Sequence, residues 1–125
     1  MLLRISVSGV YGHGSDGNRD ATYMHAMTRA ACEILNPDGL IVDFSALTYR
    51  WGDLLGKVLN VPTRWASLKK PPFAVVEGAH CKDALRSLLL GDLGWDEKDL
   101  DWVFDDVERA RDFVGRRIAA NAYLT

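Results

Sequence analysis

No stretch of this sequence is apolar for long enough to cross a bilayer, which takes about 20 residues in a helix. The longest apolar runs are Leu40-Ile41-Val42 and Phe73-Ala74-Val75-Val76. Met1 to Val7 has neither the charged start nor the long apolar stretch of a secretion signal, so a cytoplasmic location is expected. Cysteine is scarce. Cys32 and Cys81 lie far apart and read as reduced thiols, not as a disulfide framework. The spacings of His13, His25 and His80 match no zinc pattern, even with Cys81 and Asp16 added, and no metal is expected. Net charge is also small, at -2, which gives no reason to expect direct nucleic-acid binding. The glycine-rich stretch Gly12-His13-Gly14-Ser15-Asp16-Gly17 lacks the Gly-Lys-Ser/Thr ending of a Walker loop and the spacing of a dinucleotide fingerprint. It reads either as a plain connection or as a backbone cradle for an anion. No cofactor is expected, and no catalytic residue is assigned.

What is present suits one folded domain over residues 1–125. Apolar residues make up 48%, and four Trp, four Tyr and four Phe supply ample area to bury. Leu3, Ile5 and Val7 alternate with Arg4, Ser6 and Ser8, a strand signal. Asp20 is a candidate N-cap for a helix from about Ala21, with Met24, Met27, Ala31, Ile34 and Leu35 on its core face. Asn36-Pro37-Asp38-Gly39 stops that helix. Leu40 to Phe44 reads as a strand covered on both sides. Trp51, Leu54, Leu55, Val58 and Leu59 follow helical spacing. Pro62 interrupts, and a further turn fits Trp65 to Leu68. Phe73 to Val76 is a third strand, and Cys81 to Leu90 a helix that Gly91 ends. Asp96 and Asp99 resemble a capping box before a long final helix carrying Leu100, Val103, Phe104, Val107, Ala110, Val114 and Ile118. Strands alternating with helices predict an α/β domain. Its sheet should be mainly parallel, of three to four strands, with crossover helices and a long C-terminal helix.

Leu40-Ile41-Val42-Asp43-Phe44-Ser45-Ala46-Leu47, followed by Trp51-Gly52-Asp53-Leu54-Leu55, resembles the central strand–loop–helix of STAS domains. Pro72 to His80 is similar to the penultimate strand of that fold. The resemblance implies a regulatory signalling module with Asp53 at the switch position. Leu54 stands where the family has its phosphorylatable serine, so the family's phospho-switch is not expected. Lys70-Pro71 before the third strand and Glu77-Gly78 after it are also similar to the crotonase core. That likeness implies a reduced acyl-CoA enzyme with an oxyanion hole built near Trp51–Asp53 and Gly78–Cys81. Cys81-Lys82-Asp83 replaces the family's glycine-rich turn.

Several side chains admit a chemical and a structural reading. Cys81 follows His80 at a helix start, where a thiolate is favoured; it also reads as a small buried thiol. Asp43 with Asp53, or Asp43 with Glu77, would make an acid–base pair at the carboxyl edge of the sheet, where open α/β sheets bind ligands. They also read as caps and rim residues.

The most unusual feature is the segment from Asp92 to Asp112. It holds nine acidic residues, Asp92, Asp96, Glu97, Asp99, Asp101, Asp105, Asp106, Glu108 and Asp112, against Lys98, Arg109 and Arg111, a local charge of -6. The rest of the chain is therefore net +4. Concentrated charge of one sign steers a partner of the other. Trp95 and Trp102 lie inside the segment, and Trp is favoured where binding energy concentrates. The leading expectation is a non-catalytic protein-binding domain of the immunity or antitoxin kind. Trp95, Asp96, Asp99, Asp101, Trp102, Asp105, Asp106, Glu108 and Asp112 would present an acidic helical face to a basic partner protein, such as a toxin or effector. A solvated helix face with both indoles in the core is the other reading.

Overall fold

The computed structural model describes residues 1–12, 17–59, 65 and 67–122. The chain alternates β1 (Leu2–Val10), α1 (Asn18–Leu35), β2 (Gly39–Thr48), a 3-10 segment (Asp53–Leu59), β3 (Phe73–Glu77), α2 (Lys82–Ser87), β4 (Val103–Phe104) and α3 (Val107–Asn121). A π turn, Leu88–Asp92, continues α2, and a short 3-10 turn, Glu97–Asp99, precedes β4. The four strands form one sheet in the order β1-β2-β3-β4, and every pair is parallel. The expected α/β class holds.

A monotonic order with right-handed crossovers puts every connection on the same face. The contacts agree. α1 lies beside the 3-10 segment, which touches the π turn, while α3 folds back over β2, β3 and β4. Val114 and Ile118 of α3 occupy the space a Cβ on Gly39 would need, which places α3 on the face bearing Gly39, Ile41 and Asp43. Leu40, Val42 and Phe44 therefore point into the crossover layer, together with their register partners Phe73, Val75 and Glu77. β2 and β3 are covered on both faces, which explains the unbroken burial from Gly39 to Phe44 and from Phe73 to Glu77. β1 is an edge strand and keeps the alternation its sequence shows, with Leu3, Ile5 and Val7 partly buried and Arg4, Ser6 and Ser8 exposed.

Several expectations change. The final helix begins at Val107, not near Leu100. Residues 103–104 leave helical spacing to add a fourth strand to the open edge of β3, with Val75 N–H donating to Trp102 O at 2.9 Å. Asp96 accepts no capping bond. The cap is Asp106, whose Oδ1 accepts from Glu108 N–H at 2.9 Å. α1 starts at Asn18, so Asp20 lies inside its first turn and accepts from Gly12 N–H at 3.0 Å. On α1 the core contact runs through Ala21, Met24 and Thr28. Met27, Ile34 and Leu35 are exposed, because the helix covers only the margin of the sheet. Trp51 is exposed as well, ahead of buried Leu55 and Val58. β2 runs on through Ser45–Thr48, with a register shift against β1 between Ser6 and Ser8. Pro62 lies outside the described residues.

Candidate functional site: a tryptophan-capped cleft at the amino end of the sheet

The carboxyl end of the sheet holds the carboxylates that suggested catalysis, and Asp43 and Glu77 are each paired with an arginine. Asp43 lies on the α3 face of β2. Its Oδ2 accepts from Arg4 Nε and Nη2 at 3.1 and 2.8 Å, and its Oδ1 accepts from Ser45 N–H at 2.9 Å. Burial pushes this carboxyl up, but the bonds from Ser45 and Arg4 outweigh it and hold Asp43 below its ordinary range. Glu77 lies on the opposite face and takes Arg86 Nη2 at 3.2 Å. Asp43 and Glu77 therefore do not form an acid–base pair: the sheet separates them, and each has its own arginine. Asp53 opens the 3-10 segment, and its side chain is outside what the structure describes.

Cys81 is buried at the start of α2. Its thiol donates to Phe44 O at 3.4 Å, while its sulfur accepts from Gly78 N–H at 3.3 Å. Burial pushes the thiol up; the Gly78 bond opposes this, and the Glu77 and Asp43 carboxylates add to it. That is the small buried thiol, not a nucleophile. Of the N–H groups proposed for an oxyanion hole, two are used internally: Gly78 N–H donates to Cys81 Sγ and Cys81 N–H to Gly78 O. Gly78 cannot carry a side chain, because its Cβ would strike the Ser45 carbonyl. His80 is exposed and His25 half-buried on α1. His13 and Asp16 lie outside the described residues, as does the centre of the Gly12–Gly17 loop. Among the described residues, no three His, Cys, Asp or Glu side chains gather as metal ligands.

The amino end is built differently. After the π turn, Gly94 reverses the chain at a φ of 71°, a conformation that favours glycine. Trp95 N–H then donates to Leu89 O at 2.9 Å, which lays the indole back toward the sheet. Trp95 packs edge-on against Trp102 with ring centroids 5.3 Å apart, and Trp102 tilts against Phe73 at 5.8 Å. Trp102 is 9% exposed and belongs to the core, whereas Trp95 remains 43% exposed. Beneath them a cleft of about 560 Å³ opens between the crossover layer and α3. Its walls include Leu59, Phe73, Leu89 and Leu93, and its mouth carries Lys69, Lys70 and Lys98. A smaller depression of about 320 Å³ runs along α2 beside Tyr49–Gly52.

The acidic segment does not form one helical face. It divides in two. Asp101 pairs with Arg117 at 3.2 Å, Glu108 with Arg111 at 3.2 Å, and Arg109 takes both Asp105 and Asp106. Spacings of three and four residues bring Arg109 and Arg111 onto their acids, which offsets much of the charge at the start of α3. Arg117 is itself held by Pro71 O at 3.2 Å and lies over the Phe113 ring. Burial draws its guanidinium below the ordinary value, and Asp101 opposes that. Asp92, Asp96, Glu97, Asp99 and Asp112 are exposed and have no ion-pair partner among the described residues. Four of those five flank Trp95 in the sequence, and Asp99 lines the cleft with it. Comparison with protein families, curated proteins and solved structures finds no match for the chain.

Proposed function

We propose that this chain is a non-catalytic binding domain that docks a basic protein through the loop around Trp95. The observation that carries the reading is the exposed indole of Trp95, fixed by its backbone bond to Leu89 and its packing on Trp102, with unpaired carboxylates beside it. A rigid aromatic anchor ringed by charge combines a desolvated contact with long-range steering. The docking set narrows to Trp95, Asp92, Asp96, Glu97 and Asp99, with one lysine, Lys98, among them. Asp101, Asp105, Asp106 and Glu108 already face arginines of their own chain and contribute less to a partner. An immunity- or antitoxin-type inhibitor fits this design: a small domain whose acidic loop covers the basic surface of an effector. Such an inhibitor would act in the cytoplasm, where two free cysteines persist.

The test is affinity capture with the wild-type chain and with a D96K/E97K variant. A captured basic protein is purified and its binding re-measured at two salt concentrations. The wild type should bind it, more weakly at high salt, and the variant should not. Equal binding by the variant would remove the acidic loop from the function.

A further inference from the structure

The cleft beneath Trp95 has a chemistry of its own, opposite in sign to the loop above it. Of its charged lining residues, Arg117 and Asp101 satisfy each other. Lys69, Lys70 and Lys98 remain, each without an ion-pair partner among the described residues, against the single exposed carboxylate of Asp99. Trp102 forms part of the cleft wall and is nine-tenths buried. Ammonium groups donate and cannot accept. Apart from Asp99, the charged side chains this cleft leaves open are therefore cationic donors. The remaining walls are aliphatic and aromatic, and the volume of about 560 Å³ lies within the range of small-molecule sites.

We infer that this cleft binds a small anionic amphiphile, with an apolar body against Leu59, Leu93 and Phe73 and a carboxylate, sulfonate or phosphate head at the Lys69–Lys70 mouth. This goes beyond the partner reading; the two share Trp95, Lys98 and Asp99, but the Lys69–Lys70 mouth belongs to the cleft alone, so either can fail alone. The lysines would also distinguish the cleft from a purely hydrophobic dye trap, because a neutral molecule of the same shape gains nothing from them.

The probe is 8-anilinonaphthalene-1-sulfonate, an aryl anion of suitable size, compared with its uncharged relative N-phenyl-1-naphthylamine. Fluorescence titration of the folded chain should give saturable, one-to-one binding of the sulfonate and weaker binding of the neutral dye. K69E/K70E, at exposed positions, should weaken the sulfonate about tenfold, by the removal of two cations, and leave the neutral dye unchanged. Thermal unfolding of the variant confirms that it folds. Lack of saturable binding, indifference of the sulfonate to charge reversal, or equal loss of both dyes would overturn the inference.

Discussion

The two ends of this sheet differ in what their polar groups are used for. At the carboxyl end, Asp43, Glu77 and Cys81 are buried and spent on Arg4, Arg86, Ser45, Gly78 and Phe44. At the amino end, three lysines beside a cleft have no ion-pair partner among the described residues, and the Trp95 indole next to them remains 43% exposed. Open parallel sheets commonly bind ligands at their carboxyl ends. Here that end is closed by its own ion pairs, and the open chemistry has moved to the other. The Asp43 carboxylate is fully engaged, while Glu77 Oε2 and Arg86 Nε are buried without partners among the described residues although Glu77 and Arg86 pair with each other.

The contrast can be broken most sharply at Arg86. Arg86→Leu strands the Glu77 carboxylate in the core and should cost about 3–5 kcal/mol in urea unfolding, while the folded fraction still binds at Trp95. Loss of less than about 1 kcal/mol would mean that Glu77 escapes to water and that the carboxyl end is not closed. Trp95→Ala is the reverse case. It should remove about 2 kcal/mol or more of partner binding and shift the melting temperature little, since much of the indole already faces solvent. A large stability loss with intact binding would make Trp95 a core residue instead.

Asp43→Asn should cost about 1–2 kcal/mol at neutral pH. Because the folded carboxyl is held below its unfolded value of about 3.9, its contribution is fully present above that value. It fades as pH falls through the lower, folded value. Stability of the wild type should therefore decline in acid more steeply than that of D43N. Parallel acid limbs would show that Asp43 is not ionically engaged. The smallest effect concerns the thiols. Half-buried Cys32 should react with a disulfide reagent well before Cys81, whose burial and neighbouring carboxylates suppress the thiolate.

How much of this was legible follows from the range of the interactions. Alternation in residues 3–8 and the apolar runs of 40–44 and 73–76 are local, and they placed three strands. β4 was hidden, because Leu100, Val103 and Val107 also fit a helix, and only the open edge of β3 draws two residues into the sheet. On α1, apolar residues occur on more than one stripe, so spacing alone chose Met27 and Ile34 for a core that takes Ala21 and Thr28. Trp95 and the acids of 92–99 stood out in the sequence by their concentrated charge. Their separation from the arginine-matched acids of 101–108 depends on α3 starting at Val107. The cleft was not visible. In the sequence Lys70 stands out only beside Pro71 ahead of the third strand, and parallel register is what brings it and Lys69 beside Trp102.

Hydrogen exchange of the chain, alone and with the captured partner, tests the central claim most directly. Protection should concentrate in residues 92–102, at the amino end of the sheet. Protection confined to residues 45–52 and 78–87 would place the contact at the carboxyl end and contradict the account.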